Sequence, residues 1–141
     1  MISSKKTIWI TIITASLILA ITMGVRQSLG LFIEPINNST SLDIVSISFA
    51  LAMGQLVWGL VQPVFGAIAD KKGSFGVLVI GAFMMFFGLL LTPFSQSDFT
   101  LMLTFGILCS AGAGAGSFSI LIGATARNLP SDKRSFAGGF I

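Results

Sequence analysis

Three consecutive charges, Asp70, Lys71 and Lys72, stand between two of the longest apolar runs in the sequence. Unpaired charge within hydrocarbon costs several kcal/mol, so such a stretch must reach water while the runs beside it cross a bilayer. Polar breaks also fall at Asn37–Asp43, Ser95–Asp98 and Arg127–Arg134. They divide the chain into four apolar segments of about 20 residues or more, enough for ~30 Å of hydrocarbon at ~1.5 Å per residue. We expect helices at about 7–34, 44–69, 75–94 and 99–126, and a fifth begun at about 132. The fold class is an all-α membrane protein. Composition agrees: 9% of residues are charged and 54% hydrophobic, where a soluble domain carries ~25% charged residues.

The same composition excludes several functions. There is no histidine, and Cys109 is the single cysteine. An internal disulfide and the usual metal-ligand clusters are therefore ruled out. No nucleophile stands with a base, so no enzyme, metal or cofactor is expected. The net charge of +3 comes from the loops, which makes the lipid bilayer the expected partner and leaves no role for nucleic acid. Met1–Lys6 is a short polar start, and the apolar run from Thr7 to Ile33 is interrupted only by Arg26 and Gln27. That run exceeds the 7–15 apolar residues of a signal peptide, so it is read as an uncleaved first helix with Trp9 as interfacial anchor.

Charge sets the expected orientation. With a cytoplasmic N-terminus, Lys5, Lys6, Lys71, Lys72, Arg127, Lys133 and Arg134 all fall inside, while Glu34, Asp43 and Asp98 fall outside. This is the positive-inside pattern. The remaining basic residue is Arg26, roughly 6–7 Å outward of the middle of the first helix at ~1.5 Å per residue.

An intramembrane arginine is expensive and is expected to face protein or a water-filled cavity, commonly a substrate path. Thr11, Thr22 and Arg26 share one face at ~100° per residue. Snorkelling to the outer headgroups, or a structural ion pair, is the alternative reading. On the second helix Ser48, Gln55, Gly59, Gln62 and Gly66 form a polar and small-residue stripe. Its amides need partners, supplied either by substrate or by interhelical hydrogen bonds; Trp58 and Pro63 lie beside it. Arg26, Gln55, Gln62 and Thr22 are the candidate substrate-binding residues. The third helix, with Phe83, Met84, Met85, Phe86 and Phe87, reads as a scaffold that is largely lipid-facing or packed. The fourth contains eight successive small residues, Ser110–Ser117, with Gly112 and Gly116 as a packing pair that lets helix backbones approach closely. Cys109 reads as a small packed apolar residue.

The stretch Gly66-Ala-Ile-Ala-Asp70-Lys71-Lys-Gly73 resembles the loop signature between the second and third helices of the major facilitator superfamily. Pro130-Ser-Asp-Lys-Arg134 resembles the Pro-x-x-x-Arg stretch before the fifth helix of that family. Gly24-Val-Arg26-Gln27-Ser28-Leu-Gly30-Leu-Phe32 is similar to the first helix of bacterial monocarboxylate-type porters, the oxalate/formate group included. The resemblance implies secondary transport by alternating access, on a fold of twelve helices in two six-helix halves with the substrate site at the midplane. It further implies that Arg26 meets the carboxylate of a small organic anion, with a proton or counter-anion as coupled partner. Gly66, Asp70, Lys71 and Gly73 would form the cytoplasmic gate, in a plasma membrane such as the bacterial inner membrane. Four helices amount to an N-terminal fragment, with the remainder of the transporter absent from this chain. A truncated, inactive copy or a non-transporting small membrane protein is the alternative. A four-helix exporter that inserts both ways would need an embedded carboxylate and a weak charge bias, and this sequence has neither.

Overall fold

The computed structural model describes residues 5–141, leaving aside the side chains of Lys5, Asn128 and Asp132. The first four residues of the polar start and the charge of Lys5 thus lie outside the described residues. Among the described residues, four helices are long and apolar enough to cross a membrane: Lys6–Ser39, Ile44–Lys72, Ser74–Phe94 and Asp98–Arg127. A last helix follows at Ser131–Phe140.

The first span does not stop near Glu34. After Ser28 it tightens into a 3-10 stretch, Leu29–Phe32, and resumes as helix from Ile33 to Ser39. Pro35 sits in the first turn of the resumed helix, where a missing N–H breaks no intrahelical bond. Asp43 then caps the second span by accepting from the Val45 N–H.

The charged stretch is not a loop. Asp70, Lys71 and Lys72 form the last turn of the second helix, and the turn proper is Gly73 alone, at φ 91°. A side chain is strained at that φ, whereas glycine adopts it freely, which explains why glycine closes so short a connection. Two basic residues in a final turn also suit the negative end of the helix dipole. At the opposite end, Ser97 and Thr100 form a reciprocal capping box that starts the fourth span.

That fourth span is the centre of the bundle. Its apolar stretch is 72% buried, against 11% for the first span. Hydrocarbon gives apolar helices no reason to leave lipid, so association rests on close packing, and glycine provides it. A Cβ at Gly112 would lie 2.4 Å from the Met85 nitrogen and 2.5 Å from the Gly81 carbonyl oxygen of the third span. One at Gly88 would lie 2.6 Å from the Cys109 nitrogen, and one at Gly54 would meet the Ser110 hydroxyl at 2.5 Å. Gly112 and Gly116 therefore serve different neighbours, because Gly116 packs against Thr22 of the first span. On the third span Val77, Gly81, Met85 and Gly88 face inward, and Phe83, Phe86 and Phe87 face outward.

Two irregularities in the fourth span depart from a uniform helix. Met102–Cys109 is wound as π-helix, and the helix breaks at Gly116–Ser117 before restarting at Phe118. Poor helix formers crowd that break. The Ser117 hydroxyl there is buried with no partner among the described residues.

Candidate functional site

The Arg26 side chain reaches across to the second span. Its guanidinium donates to Gln55 Oε1 and lies over the Trp58 ring, with Cζ 4.1 Å from the ring centroid. Gln55 and Trp58 are three residues apart on one helix, so they present adjacent groups to the same cation. Arg26 borders a cavity of about 240 Å³ with Gln27, Gly30, Gln55, Phe105 and Ser110.

Magnitudes show what this arrangement leaves over. An arginine near the centre of a span costs ~2.5–3.5 kcal/mol. A guanidinium on an indole face recovers ~0.5–2 kcal/mol, the more so the less water reaches it, and the neutral amide adds a hydrogen bond. Neither partner carries negative charge, and no Asp or Glu pairs with Arg26 among the described residues. The cation is thus stabilised without being neutralised, and it keeps its attraction for an anion in a medium of low dielectric constant. Trp58 was a weak signal in the sequence, because helical periodicity places a residue on a face without naming its neighbour.

Gln62 belongs to a different place. It lies seven residues beyond Gln55, ~10 Å along the helix, and its Oε1 accepts from the Ser119 hydroxyl at 2.9 Å. Both line a groove of about 620 Å³ between the second and fourth spans, which also includes Gly59, Gly66, Asp70 and Arg127. The stripe expected on the second helix is thus divided: Gln55 lines the Arg26 cavity, Gly59, Gln62 and Gly66 line the groove, and Ser48 lines neither. Thr22 lies outside both: its hydroxyl donates to the Gly116 carbonyl at 3.2 Å and to Ile18 O at 2.9 Å, which fixes the crossing of the first and fourth spans.

At the basic end, Asp70 forms an ion pair with Arg127 of the fourth span. Arg127 also donates to the Ala69 carbonyl at 3.0 Å, joining the Gly73 N–H on that oxygen near the end of the second helix. The pair is 44% and 70% exposed, so it contributes at most ~1 kcal/mol to stability; its consequence is to tie two helix ends together. Lys71 is exposed beside it. Reading the sequence places Arg127 in a loop, yet it lies in a helix that continues to Asn128. The available signal was an opposite charge at the same end of the bundle as Asp70. In the Pro130–Arg134 stretch, Arg134 Nε donates to the Leu129 carbonyl at 3.2 Å, closing the turn into the last helix.

The Major Facilitator Superfamily profile matches residues 1–141. The chain is 26% identical over 132 residues to the oxalate:formate antiporter of Oxalobacter formigenes, covering 94% of this chain and 31% of the relative. It therefore spans about a third of the length of that curated relative. This is a multi-pass membrane protein, and its family points to small-molecule transport across a membrane rather than to an enzyme. The chain belongs to the Major Facilitator Superfamily, and its four spans and following helix are part of the N-terminal six-helix half of the transporter fold.

Proposed function

We propose that this chain supplies part of one wall of a secondary active transporter that moves a small organic anion, a monocarboxylate, across the plasma membrane by alternating access. The observation that carries this reading is Arg26: an intramembrane cation held at a cavity by an aromatic face and a neutral amide, with its charge uncancelled. Its planar fork of donors matches a carboxylate in two parallel hydrogen bonds. Gln55 orients the fork, and Gln62 lies further along the polar route toward the basic end. The relative's name concerns oxalate and formate, which are both small carboxylates. A proton or a counter-anion completes the cycle. Vesicles containing the full protein should accumulate a labelled small carboxylate and release it when the unlabelled acid is added outside. Uptake no greater than in empty vesicles would contradict transport.

The orientation belongs to the same proposal, with the basic end cytoplasmic. Cys109 is buried, so the native thiol does not compete with introduced ones. A cysteine at Ser41 or Ser97 should react with an impermeant thiol reagent on intact cells, and one at Ser74 should not. Labelling at Ser74 would reverse the assignment.

Gly66, Asp70, Lys71 and Gly73 act in this reading as the cytoplasmic gate, with Arg127 as the partner of Asp70. Such a contact acts by weighting one state of the transport cycle. Asp70→Asn and Arg127→Gln should each slow transport several-fold and raise reagent access from the cytoplasm, with little change in thermal stability. The double variant should be no worse than either single one, because both remove the same contact. Additive losses would separate the two residues.

A further inference from the structure

We propose that Trp58 is a positioning residue for anion binding: its indole face holds the Arg26 guanidinium flat, so that the donor edge stays turned to the cavity. The inference rests on the carboxylate reading of Arg26 and deepens it. Three observations carry it. The first is the placement of the cation over the ring, with Cζ 4.1 Å from the ring centroid. A guanidinium so placed has one face covered, and Gln55 occupies an Nη2 hydrogen, so an incoming anion meets the remaining in-plane donors.

The second is the indole N–H of Trp58, which is buried and has no acceptor among the described residues. Burying a donor unsatisfied is costly, and a phenylalanine would fill a similar space without that cost. The position thus uses the feature in which tryptophan exceeds phenylalanine, the strength of its π face toward a cation. The third is the backing of the ring. Trp58 packs against the buried cluster of Met85, Cys109 and Ala113. The third and fourth spans therefore hold the platform in place from behind. A carboxylate in place of the ring would stabilise Arg26 more strongly, but it would compete with the substrate for the same donors. An aromatic face supports the cation and leaves the donor edge open.

Anion affinity should scale with the fraction of time the guanidinium spends in this pose. The test uses the full protein in lipid nanodiscs, labelled with 5-fluorotryptophan, with the Trp58 fluorine resonance assigned by its loss in Trp58→Phe. Without ligand, Arg26→Gln should move the Trp58 resonance while leaving that of Trp9 in place. Identical Trp58 resonances in the two proteins would overturn the contact and the inference with it. Binding of labelled oxalate, formate and acetate is then measured in wild type, Trp58→Phe and Trp58→Leu. Trp58→Leu should weaken binding about 10-fold, and Trp58→Phe only about 3-fold because a π face returns. Equal losses in Phe and Leu, or affinity within twofold of wild type in Leu, would overturn the positioning role while leaving Arg26 as the anion contact. If the wild type binds none of the three acids, the carboxylate reading fails first and the inference falls with it.

Discussion

Arg26→Gln should lower uptake of the transported carboxylate by about 100-fold or more, with membrane insertion and expression unchanged. The expectation follows from what the substitution removes. A carboxylate on a guanidinium makes two charge-assisted hydrogen bonds, each contributing ~1.5–3 kcal/mol, and 1.4 kcal/mol corresponds to a factor of about ten. Glutamine keeps polarity and approximate length but supplies neither the charge nor the parallel donors. Arg26→Lys keeps the charge as a point and loses the fork, so an intermediate loss of about 10-fold is expected. Stability should change in the opposite direction or not at all, because an intramembrane cation is costly to hold. Uptake is measured as the initial rate of labelled acid entry into vesicles, normalised to protein inserted. A normal rate in Arg26→Gln would make Arg26 structural.

A second large effect concerns Gly112. Its missing Cβ is what allows the third and fourth spans to touch, since the atoms it would strike are the Met85 nitrogen and the Gly81 carbonyl oxygen, at 2.4 and 2.5 Å. Backbone cannot rotate out of the way as a side chain can. Gly112→Ala should destabilise the bundle by ~1–3 kcal/mol, the usual range for an overpacked core, and Gly112→Leu should prevent assembly. Gly116→Ala should cost less, because the obstacle there is the methyl of the Thr22 side chain, at 2.7 Å, and not backbone. Gly123→Ala should be harmless, having nothing within 4 Å. Unfolding in mixed micelles across this series gives the ranking. A Gly112→Ala protein as stable as Gly123→Ala would contradict the packing account.

Much of the architecture is legible in the sequence because bilayer physics is local. Charge must leave hydrocarbon and apolar length must match its thickness, so Asp70–Lys72 and the four long runs define the spans on their own. The one-residue turn at Gly73 is not legible: the sequence shows charge between two spans, and only the structure winds Asp70–Lys72 into the second helix and leaves Gly73 as the connection. What escapes is whatever depends on neighbours. Gln55 and Gln62 share a helix face, yet only the positions of the first and fourth spans assign one to Arg26 and the other to Ser119. Thr22 has the right face but meets Gly116 at a helix crossing. Arg127 is hidden for a different reason: hydropathy cannot tell a loop charge from one that ends a helix. The break at Gly116–Ser117 is equally hidden, because a run of small residues serves a close packing face as readily as an interruption.

The central claim is that Arg26 receives a carboxylate, and the most direct measurement pairs each acid with its uncharged amide. Equilibrium binding to the purified full protein would be measured for formate, acetate and oxalate beside formamide, acetamide and oxamide, in wild type and Arg26→Gln. Size and shape are nearly the same within each pair, so a difference reports charge and donor matching. Saturable binding of at least one acid, no binding of its amide, and loss of acid binding in Arg26→Gln is the predicted result. Acids and amides binding alike, or acid binding that survives in Arg26→Gln, would contradict it.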